Sequence, residues 1–491
     1  MPSKIYLTTT LPYVNADPHI GFAAELVHAD IMARYHLNRG DEVFFNTGTD
    51  EHGLKIYRQA LAEKKEPPRY VDESAAKFKK LYPALGLWEG LNFIRTTDPH
   101  HIAAAQEFWR RCNGAGDIYK KPYQIKYCVG CELEKTESEL AYGKCLLHPR
   151  LELEIIEEEN YFFKFSKYQK PLLELYAARP NFVIPNFRFN EIKALVARGL
   201  EDFSISRLAH KMPWGVPVPD DPQHVIYVWF DALVNYISAI GWPDDEAKFK
   251  KWWPVIQFAG KDNLRQQAAM WQAMLLSANL PPSKQIIIRG FIQSGGQKMS
   301  KSLGNVIDPF PLVVEYGPPA NDTTQAFRAG TDAVRYFLAR HVNPFEDSDV
   351  TPEKIKNAYN ANLANGLGNL VSRVMKMASD NGVRTSDVGP PEADLTSDVR
   401  PDQFLEKYEI NKALDAIWSK IQAADQEIQK VKPFKLIKTD RPAGEQAIKS
   451  LLTKLAVIAT DLAPFMPTTS STIQDLIKEN RPPGKSLFAR K

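Results

Sequence analysis

The first fifty residues alternate between strand-like and helix-like patterns. Residues 5–10 are β-branched and aromatic, as in a buried first strand, and a proline- and asparagine-containing loop follows them. From Phe22 the apolar positions recur with the 3.6-residue period of a helix, and residues 43–46 are typical of a second strand. Strand, loop, helix and strand in this order predict an α/β fold with a parallel, doubly wound sheet of the Rossmann type.

Regions of different character follow along the chain. Residues 115–221 hold three of the four cysteines and an acidic run, which predicts an inserted, strand-rich subdomain. The α/β pattern resumes at residues 225–229 and at residues 285–288, and helical periods dominate beyond residue 345. We therefore predict an α/β domain split by an insert and followed by a helical bundle. The predicted boundaries are 1–114 and 222–345 for the α/β domain, 115–221 for the insert and 346–491 for the bundle.

Charge and composition exclude several classes of protein. Lys and Arg total 62 and Asp and Glu total 59, so the net charge of +3 does not indicate a nucleic-acid binder, and any basic surface must be local. No segment approaches the ~20 apolar residues that span a bilayer, so we expect no membrane partner. Four cysteines in 491 residues are too few for a disulfide framework, and the N-terminal residues lack the apolar core of a signal peptide. These features favour a cytoplasmic enzyme.

Three cysteines and a histidine lie close together in the insert. Cys128 and Cys131 form one close pair, Cys145 and His148 form another, and thirteen residues separate the pairs. Thiolate and imidazole ligands suit a tetrahedral Zn²⁺ ion, and four protein ligands leave no position open for a substrate. We therefore predict one structural zinc ion per chain. Scattered reduced cysteines or a disulfide are the alternatives, and Cys112 lies outside the pattern.

Three short segments indicate nucleotide binding. His19 precedes the first predicted helix, where backbone N–H groups and the helix dipole favour a phosphate. A glycine-rich segment carries Lys298 and Lys301, whose charges are suited to clamp a polyphosphate. Gly260 and Asp262 follow a predicted strand, where a carboxylate can hold ribose hydroxyls. Each segment alone also fits a solvated cap or a basic loop, but together they predict a nucleotide site.

Two of these segments resemble known signatures. Residues 19–22 and 298–302 resemble the two signatures of class I aminoacyl-tRNA synthetases. Further matching segments narrow the resemblance to the methionyl-tRNA synthetase family, with spacing similar to its one-zinc bacterial branch. These segments are residues 11–15, 47–53, the cysteine–histidine cluster, 227–232 and 369–373. The resemblance implies a catalytic α/β domain whose second part ends in a stem-contact region, a connective insert and an anticodon-binding bundle.

The resemblance also implies a reaction and the residues for it. The methionine carboxylate would attack the α-phosphorus of ATP, release pyrophosphate and leave methionyl-adenylate, and tRNA(Met) would then take the acyl group. His19, Lys298 and Lys301 would be catalytic residues that stabilise charge on the phosphates. Mg²⁺ would bind to the phosphates. The ATP-binding residues would be His19, Gly21, Gly260, Asp262, Lys298 and Lys301.

The resemblance assigns a separate set of residues to methionine. Asp50 would pair with the α-ammonium group and the Leu11 backbone would assist. Tyr13 and Trp229 would enclose the thioether, which suits sulfur–aromatic contacts. Without the family context, Asp50 fits a turn residue and Trp229 fits a core aromatic residue in a strand.

In the helical region, the resemblance assigns residues to the tRNA anticodon. Asn369 and Arg373 lie four positions apart and therefore share a helix face. Phe434 stands where the family usually has a tryptophan that stacks on an anticodon base, and a phenylalanine can also stack. Core packing is the alternative role for Phe434. We expect the chain to act as a monomer.

The sequence departs from the family pattern at four places. Phe22 replaces the final histidine of the first signature, and Gln266 and Gln267 replace a Phe-His pair beside the methionine site. About a dozen extra residues lie near 318–330. We expect no C-terminal β-barrel after the helical region, and therefore no dimerisation by that route. None of these changes removes His19, the lysine pair or the predicted zinc ligands.

Other functions remain as alternatives. Enzymes for isoleucine, valine or leucine carry a large editing domain, because one methylene group contributes only about 10–200-fold discrimination between amino acids. The predicted insert of about 100 residues is too small to be such an editing domain. A cysteine enzyme fits the length, but its metal lies in the catalytic pocket. Here the predicted ligands lie in one short segment, residues 128–148, which we call the knuckle. A non-catalytic, tRNA-binding paralogue and a nucleotidylyltransferase are the remaining candidates. The intact signatures argue against the former, and the insert and the helical region argue against the latter.

Overall fold

The structure is a computed structural model that describes residues 2–135, 140–299, 304–317, 323–384 and 400–491. The chain forms two compact units whose segments alternate along the sequence. The first unit comprises Met1–Asp17, Asp41–Lys80 and Gly90–Ile288, and the second comprises Pro18–Gly40, Leu81–Glu89 and Arg289–Lys491. The domain boundaries at residues 115, 222 and 346 stay a prediction.

A six-stranded sheet forms the centre of the first unit. Strand Lys4–Thr8 pairs in parallel with Glu42–Thr49 on one side and with Ile256–Gly260 on the other. The order from edge to edge is Asn92–Arg95, Glu42–Thr49, Lys4–Thr8, Ile256–Gly260, Gln285–Arg289 and Val183–Ile184. The strand order therefore reverses at Lys4–Thr8, and in open α/β sheets a ligand crevice forms at the carboxyl ends of the strands beside such a switch point. The predicted Rossmann-type sheet is confirmed.

Antiparallel strands dominate the insert. Ile118–Cys128 and Glu154–Phe163 pair along their length, from Tyr127 opposite Glu154 to Ile118 opposite Phe163. Because the chain leaves one strand and returns on the other, the cysteine–histidine segment is held at the far end of a long hairpin. Shorter strands lie at Leu133–Glu134, Leu140–Ala141, Lys144–Cys145, Phe203–Ser204, Ser206–Leu208, Pro217–Val218 and Asp221–Ile226.

One strand prediction was wrong. Residues 225–229 were expected to continue the α/β sheet, but Asp221–Ile226 pairs antiparallel with Ser206–Leu208 and Pro217–Val218. Val228–Ala232 then forms a short helix. A continuous apolar run indicates burial on all sides, and it does not identify the partner strand or separate a buried strand from a buried helix.

Helices cover the strands of the first unit and also occupy part of the insert that was expected to be strand-rich. Pro99–Gly114 and Trp271–Ser277 contribute buried side chains to the same large core as the strands. The other helical segments are Leu54–Ala62, Pro67–Ala84, Phe165–Tyr168, Gln169–Ala178, Asn186–Ala197, Asn235–Ser238, Glu246–Trp252, Lys261–Asn263 and Gln266–Met270.

The second unit is mainly helical. Its helical segments are Ile20–Asn38, Pro309–Tyr316, Thr323–Arg340, Pro352–Ala358, Tyr359–Gly368, Asn369–Asp380, Pro401–Leu405, Ile410–Val431, Pro433–Thr439, Arg441–Leu462 and Pro467–Glu479. Three short strands, Ile292–Ser294, Gln297–Lys298 and Ser348–Asp349, form a small sheet. The strand at Ser348–Asp349 corrects the expectation that strands end at residue 345.

Helix Ile20–Asn38 is buried on nearly every side, although an amphipathic helix was predicted. Its buried Asp30 carboxylate accepts hydrogen bonds from Arg34 Nε at 2.8 Å and from Trp88 N at 2.7 Å, and it pairs with Arg335 Nη2 at 2.8 Å. A buried carboxylate is tolerated when several donors compensate its lost hydration. The ion pair thus fixes the helix that begins directly after His19.

Among the described residues, no helix combines the length and the apolar character needed to cross a membrane.

Candidate active site and metal centre

Three neighbouring strands of the parallel sheet deliver the predicted site residues of the first unit. Tyr13 follows Lys4–Thr8, Asp50 follows Glu42–Thr49 directly, and Asp262 follows Ile256–Gly260. Their side chains therefore leave the sheet on the edge formed by the carboxyl ends of these strands.

Asp50 is a buried acid at this edge. Its backbone is held by the hydrogen bond from Asp50 N to Pro12 O, at 3.0 Å, and by the one from Val14 N to Asp50 O, at 3.3 Å. The side chain is 3 % exposed, and Oδ1 has no hydrogen-bond partner among the described residues. Burial raises the pKa of Asp50 well above its usual value, and the charges of Asp231 and Glu132 raise it further. A cation placed beside Oδ1 would relieve both effects.

Asp231 is fully buried and close enough for its charge to act on Asp50, but its own charge is compensated. His52 Nδ1 is 2.7 Å from Asp231 Oδ2, and His101 Nε2 is 2.9 Å from Asp231 Oδ1. Burial acts to raise the pKa of Asp231, but the two histidines outweigh it and hold the pKa at about 2. The pKa values of these two buried carboxyl groups therefore shift in opposite directions, because only Asp231 has partners for both oxygens. Neither Asp231 nor the two histidines was predicted as a site residue, although His52 and Asp231 lie within segments that resemble the family.

Tyr13 and Trp229 form an aromatic wall. Their ring centroids are 6.3 Å apart with the rings nearly perpendicular, at 79°. The Tyr13 hydroxyl and Trp229 Nε1 are buried, and neither has a hydrogen-bond partner in the described part of the chain. Trp229 lies in the helix Val228–Ala232, so its assignment to a strand was wrong. Leu11 is half-buried in the segment that leads to Tyr13. This arrangement offers apolar surface next to an uncompensated carboxylate.

Gln266 and Gln267 are both buried at the start of a π-helical segment. Gln257 Nε2 donates to Gln267 Oε1 at 2.8 Å, and Gln267 Nε2 donates to the Tyr236 hydroxyl at 2.9 Å. The Gln267 amide is therefore used within a polar network of the core. Gln266 Oε1 has no hydrogen-bond partner among the described residues.

The residues expected at the nucleotide lie at the end of a strand. Gly260 is the last residue of Ile256–Gly260, and a single 3₁₀ turn, Lys261–Asn263, follows it. Asp262 in this turn is exposed, and its Oδ1 accepts a hydrogen bond from Asn263 Nδ2 at 3.2 Å.

His19 caps the helix Ile20–Asn38 in the second unit. Its Nδ1 accepts a hydrogen bond from Gly21 N at 3.0 Å, so Nδ1 carries no proton and Nε2–H is the donor of the neutral ring. A Cβ atom on Gly21 would lie 2.9 Å from the His19 ring, which explains the glycine. Phe22 is only 8 % exposed, so its side chain is one of the buried apolar residues of this helix.

Lys298 lies in a β-hairpin of the second unit. Ser294 pairs with Gln297, and the two residues between them, Gly295 and Gly296, have φ values of 63° and 71°. Positive φ at both central positions gives the twist that antiparallel strands need, which explains the two glycines. Lys301 and the Lys298 side chain lie outside the described residues.

The predicted metal ligands converge. One ligand atom from each of Cys128, Cys131, Cys145 and His148 lies within 4.8 Å of the others. Cys131 Sγ is 3.5 Å from Cys145 Sγ and 3.1 Å from His148 Nδ1, and Cys128 Sγ is 3.8 Å from His148 Nδ1. All four cysteines of the chain are free thiols, so the disulfide alternative is wrong for this structure. The cluster can hold a metal ion.

The residues expected at the anticodon lie on two helices of the second unit, Asn369–Asp380 and Pro433–Thr439. Asn369 is exposed at the start of Asn369–Asp380. Arg373 Nη1 pairs with Asp425 Oδ1 at 2.5 Å. Phe434 is 44 % exposed, so core packing does not account for it.

Comparisons with known proteins agree with this geometry. The family model described as tRNA synthetases class I (M) matches residues 5–146 and 134–375. The methionine–tRNA ligase of Synechocystis is 39% identical over 489 residues, which is 95% of this chain and 88% of the relative. The methionine–tRNA ligase of Thermotoga maritima is 39% identical over 498 residues, 98% of this chain and 76% of the relative.

Solved structures give the same result. Methionyl-tRNA synthetase of Mycobacterium tuberculosis in complex with methionyl-adenylate superimposes with a TM-score of 0.89 at 33% identity, covering 99% of this chain and 100% of the other. An apo form of the same enzyme gives a TM-score of 0.80 at 31% identity, covering 100% and 99%. The chain therefore belongs to the methionyl-tRNA synthetase family of the class I tRNA synthetases.

Proposed function

We propose that this chain activates methionine with ATP through the residues described above and transfers it to tRNA(Met). The family supplies the overall reaction, the ATP-dependent ligation of methionine to tRNA with release of AMP and pyrophosphate. The observation that carries the residue assignment is the buried Asp50 carboxylate, whose Oδ1 has no partner among the described residues and which lies in the same site as Tyr13 and Trp229.

Methionine recognition follows from charge and shape. The α-ammonium group supplies the cation that Asp50 lacks, and the Leu11 backbone assists. The thioether packs against Tyr13 and Trp229, since polarizable sulfur makes favourable contacts with aromatic rings. A leucine or valine side chain has no sulfur and a different shape, so the same wall binds it less well.

Activation needs charge stabilisation more than proton transfer. The methionine carboxylate is already an anion, so it attacks the α-phosphorus without a general base, a new oxygen–phosphorus bond forms, and pyrophosphate leaves. His19 donates Nε2–H to a phosphate oxygen, and Lys298 and Lys301 neutralise charge on the leaving group. Mg²⁺ bound together with ATP would add positive charge next to the phosphates. Gly21, Gly260 and Asp262 complete the ATP-binding residues.

Transfer completes the cycle. The terminal 2′-hydroxyl of the tRNA attacks the carbonyl carbon of methionyl-adenylate, the acyl–phosphate bond breaks, and AMP leaves. At the other end of the tRNA, Asn369 and Arg373 contact anticodon bases and Phe434 stacks on one of them. The exposure of Phe434 supports this role, because a base needs an open ring face.

Zinc fits the cysteine–histidine cluster. In a tetrahedral site with Zn–S near 2.3 Å and Zn–N near 2.0 Å, the sulfur and nitrogen ligand atoms lie about 3.5–3.8 Å apart. The Sγ–Sγ distance of 3.5 Å and the Sγ–Nδ1 distances of 3.1 and 3.8 Å are close to this range. Four protein ligands make the zinc structural, so it holds the knuckle rather than acting on substrate.

We further propose that the chain acts as a monomer in the cytoplasm, with residues 1–114 and 222–345 as the catalytic domain. Residues 115–221 form the connective insert and residues 346–491 the anticodon-binding domain.

Charging of tRNA(Met) with labelled methionine tests this proposal. The wild-type protein should charge tRNA(Met) only when ATP is present, and His19→Ala should slow the reaction with little loss of tRNA affinity. Folded protein that binds tRNA(Met) but does not charge it would instead be a non-catalytic paralogue, and charging with another amino acid would refute the assigned pocket.

A further inference from the structure

Glu132 is a buried acid that the proposed mechanism does not use. It follows the metal ligand Cys131 directly, and it is only 1 % exposed. Its φ of 47° lies in the left-handed region, which is uncommon for a residue with a side chain. Such a conformation persists where the surroundings hold the residue in place, so the contacts of Glu132 indicate what it does.

The Glu132 side chain caps a distant helix. Lys55 N donates to Glu132 Oε1 at 2.7 Å, at the start of the helix Leu54–Ala62. The N-cap of this helix is Gly53, which has no side chain to satisfy the first N–H groups. A Cβ atom on Gly53 would lie 2.6 Å from Glu132 Oε2, so the glycine makes room for the carboxylate. The knuckle therefore supplies a cap that the helix cannot supply itself.

The Glu132 backbone holds a second segment. The Tyr227 hydroxyl donates a hydrogen bond to Glu132 O, and Tyr227 is the N-cap of the helix that carries Trp229. Tyr227 and Val228 form a small apolar cluster with Tyr127, and the partly buried residues packed against it are Tyr13, Leu54, Val129 and Trp229. One knuckle residue thus contacts the segment that follows Asp50 and the segment that carries Trp229.

Glu132 also lies close to the remaining parts of the amino-acid site. Its charge acts on both Tyr13 and Asp50. Its side chain is directed to Lys55 N, a backbone group of another segment, rather than into the knuckle. A purely local role in folding the knuckle would not require this reach of 77 positions along the sequence.

We propose that Glu132 is a positioning residue for methionine binding, through which the metal knuckle fixes Asp50 and Trp229 relative to each other. The inference rests on the proposed methionine site. When the cap is lost, the turn at Gly53 and the residues before it become free to move, and methionine binding must then restore their order. The cost appears in the binding of methionine rather than in the chemical step.

Steady-state ATP–pyrophosphate exchange with the full chain tests this role. Glu132→Ala should raise the KM for methionine by about 3- to 30-fold, the range for loss of one helix cap. The KM for ATP should stay unchanged, kcat should change less than about twofold, and zinc content should stay at the wild-type level. Glu132→Gln should restore the wild-type KM, because its amide oxygen can still accept from Lys55 N. Glu132→Asp keeps the charge, but its shorter side chain does not reach Lys55 N, so its KM for methionine should rise as in the alanine variant. It replaces the alanine variant in the test if that variant does not fold.

Glu152→Ala is the matched control. Glu152 belongs to the same insert, its side chain is 81% exposed, and it pairs with Lys144 at 2.6 Å. Its removal should leave the KM for methionine unchanged. An unchanged KM in Glu132→Ala and Glu132→Asp would overturn the inference, and so would loss of zinc in the glutamine variant. Wild-type protein without methionine-dependent exchange would instead refute the proposed function, so the two failures are distinguishable.

Discussion

Replacing Asp50 with asparagine should stabilise the empty protein and strongly weaken its affinity for methionine. One Asp50 carboxylate oxygen accepts from the backbone N–H of His52, which an amide oxygen can also do. The other oxygen, Oδ1, has no partner among the described residues and lies near the charges of Asp231 and Glu132. An uncharged NH₂ group at that place removes the like-charge repulsion, and the ionised wild type loses about 1.4 kcal/mol for each unit by which the pKa of Asp50 is raised.

The stabilisation should depend on pH. Because burial and the neighbouring acids raise the pKa of Asp50 well above 3.8, the folded state binds one more proton than the unfolded state between that value and the raised pKa. The stability of the wild type therefore falls as the pH rises through this window, and Asp50→Asn lacks this loss. The difference in Tm between the variant and the wild type should thus be larger at pH 8 than at pH 5.

Asp50→Asn should weaken methionine binding, although it stabilises the empty protein. Removing one partner of a buried charge pair costs about 2–5 kcal/mol, or roughly 30- to 5000-fold in Kd. In thermal melts, methionine at about 100 times the wild-type Kd should stabilise the wild type by ~2.7 kcal/mol and Asp50→Asn by less than about 1 kcal/mol. A methionine-dependent rise in Tm of the variant equal to that of the wild type would refute the role of Asp50. A lower Tm for the empty variant at pH 8 would refute the electrostatic argument.

Three further changes probe the other sites. Lys301→Ala should slow ATP–pyrophosphate exchange by ~10²–10³-fold with no change in Tm, and a normal rate would remove Lys301 from the mechanism. Cys128→Ser should lower the zinc content in elemental analysis, because one of four ligands is lost, and it should weaken charging through the insert. Unchanged metal would contradict the knuckle. Phe434→Ala should weaken tRNA(Met) binding by about 1–3 kcal/mol and leave exchange without tRNA intact, since its half-exposed ring contributes little to the core. Equal tRNA affinity would show that this ring does not stack on a base.

The fold was predictable where its determinants are local. The strand-like run at residues 5–10 and the helical period from Phe22 depend on neighbouring residues only, and both elements occur. The run at 225–229 was misassigned because strand partners are set by distant segments such as Ser206–Leu208. The near-complete burial of helix Ile20–Asn38 was also missed, since the polar Asp30 is compensated by Arg335, 305 positions away in the sequence.

The site shows the same distinction. The four predicted metal ligands were found because they form two short, regular pairs, and the structure brings them together. Asp50, Tyr13 and Trp229 were named through the family resemblance rather than through any local pattern. The pairing of His52 with Asp231 joins residues 179 positions apart, and the cap from Glu132 to Lys55 joins residues 77 apart. Such contacts arise only once the sheet and the insert have assembled.

Amino-acid-dependent ATP–pyrophosphate exchange without tRNA shows whether this chain activates methionine. The measurement compares methionine with leucine, isoleucine, valine and cysteine on folded, zinc-loaded protein. Exchange with methionine alone is the predicted result, and it would show that Phe22, Gln266 and Gln267 are compatible with activity. Exchange with none of the five amino acids, or with one other than methionine, would show that the chain is not a methionine-activating enzyme.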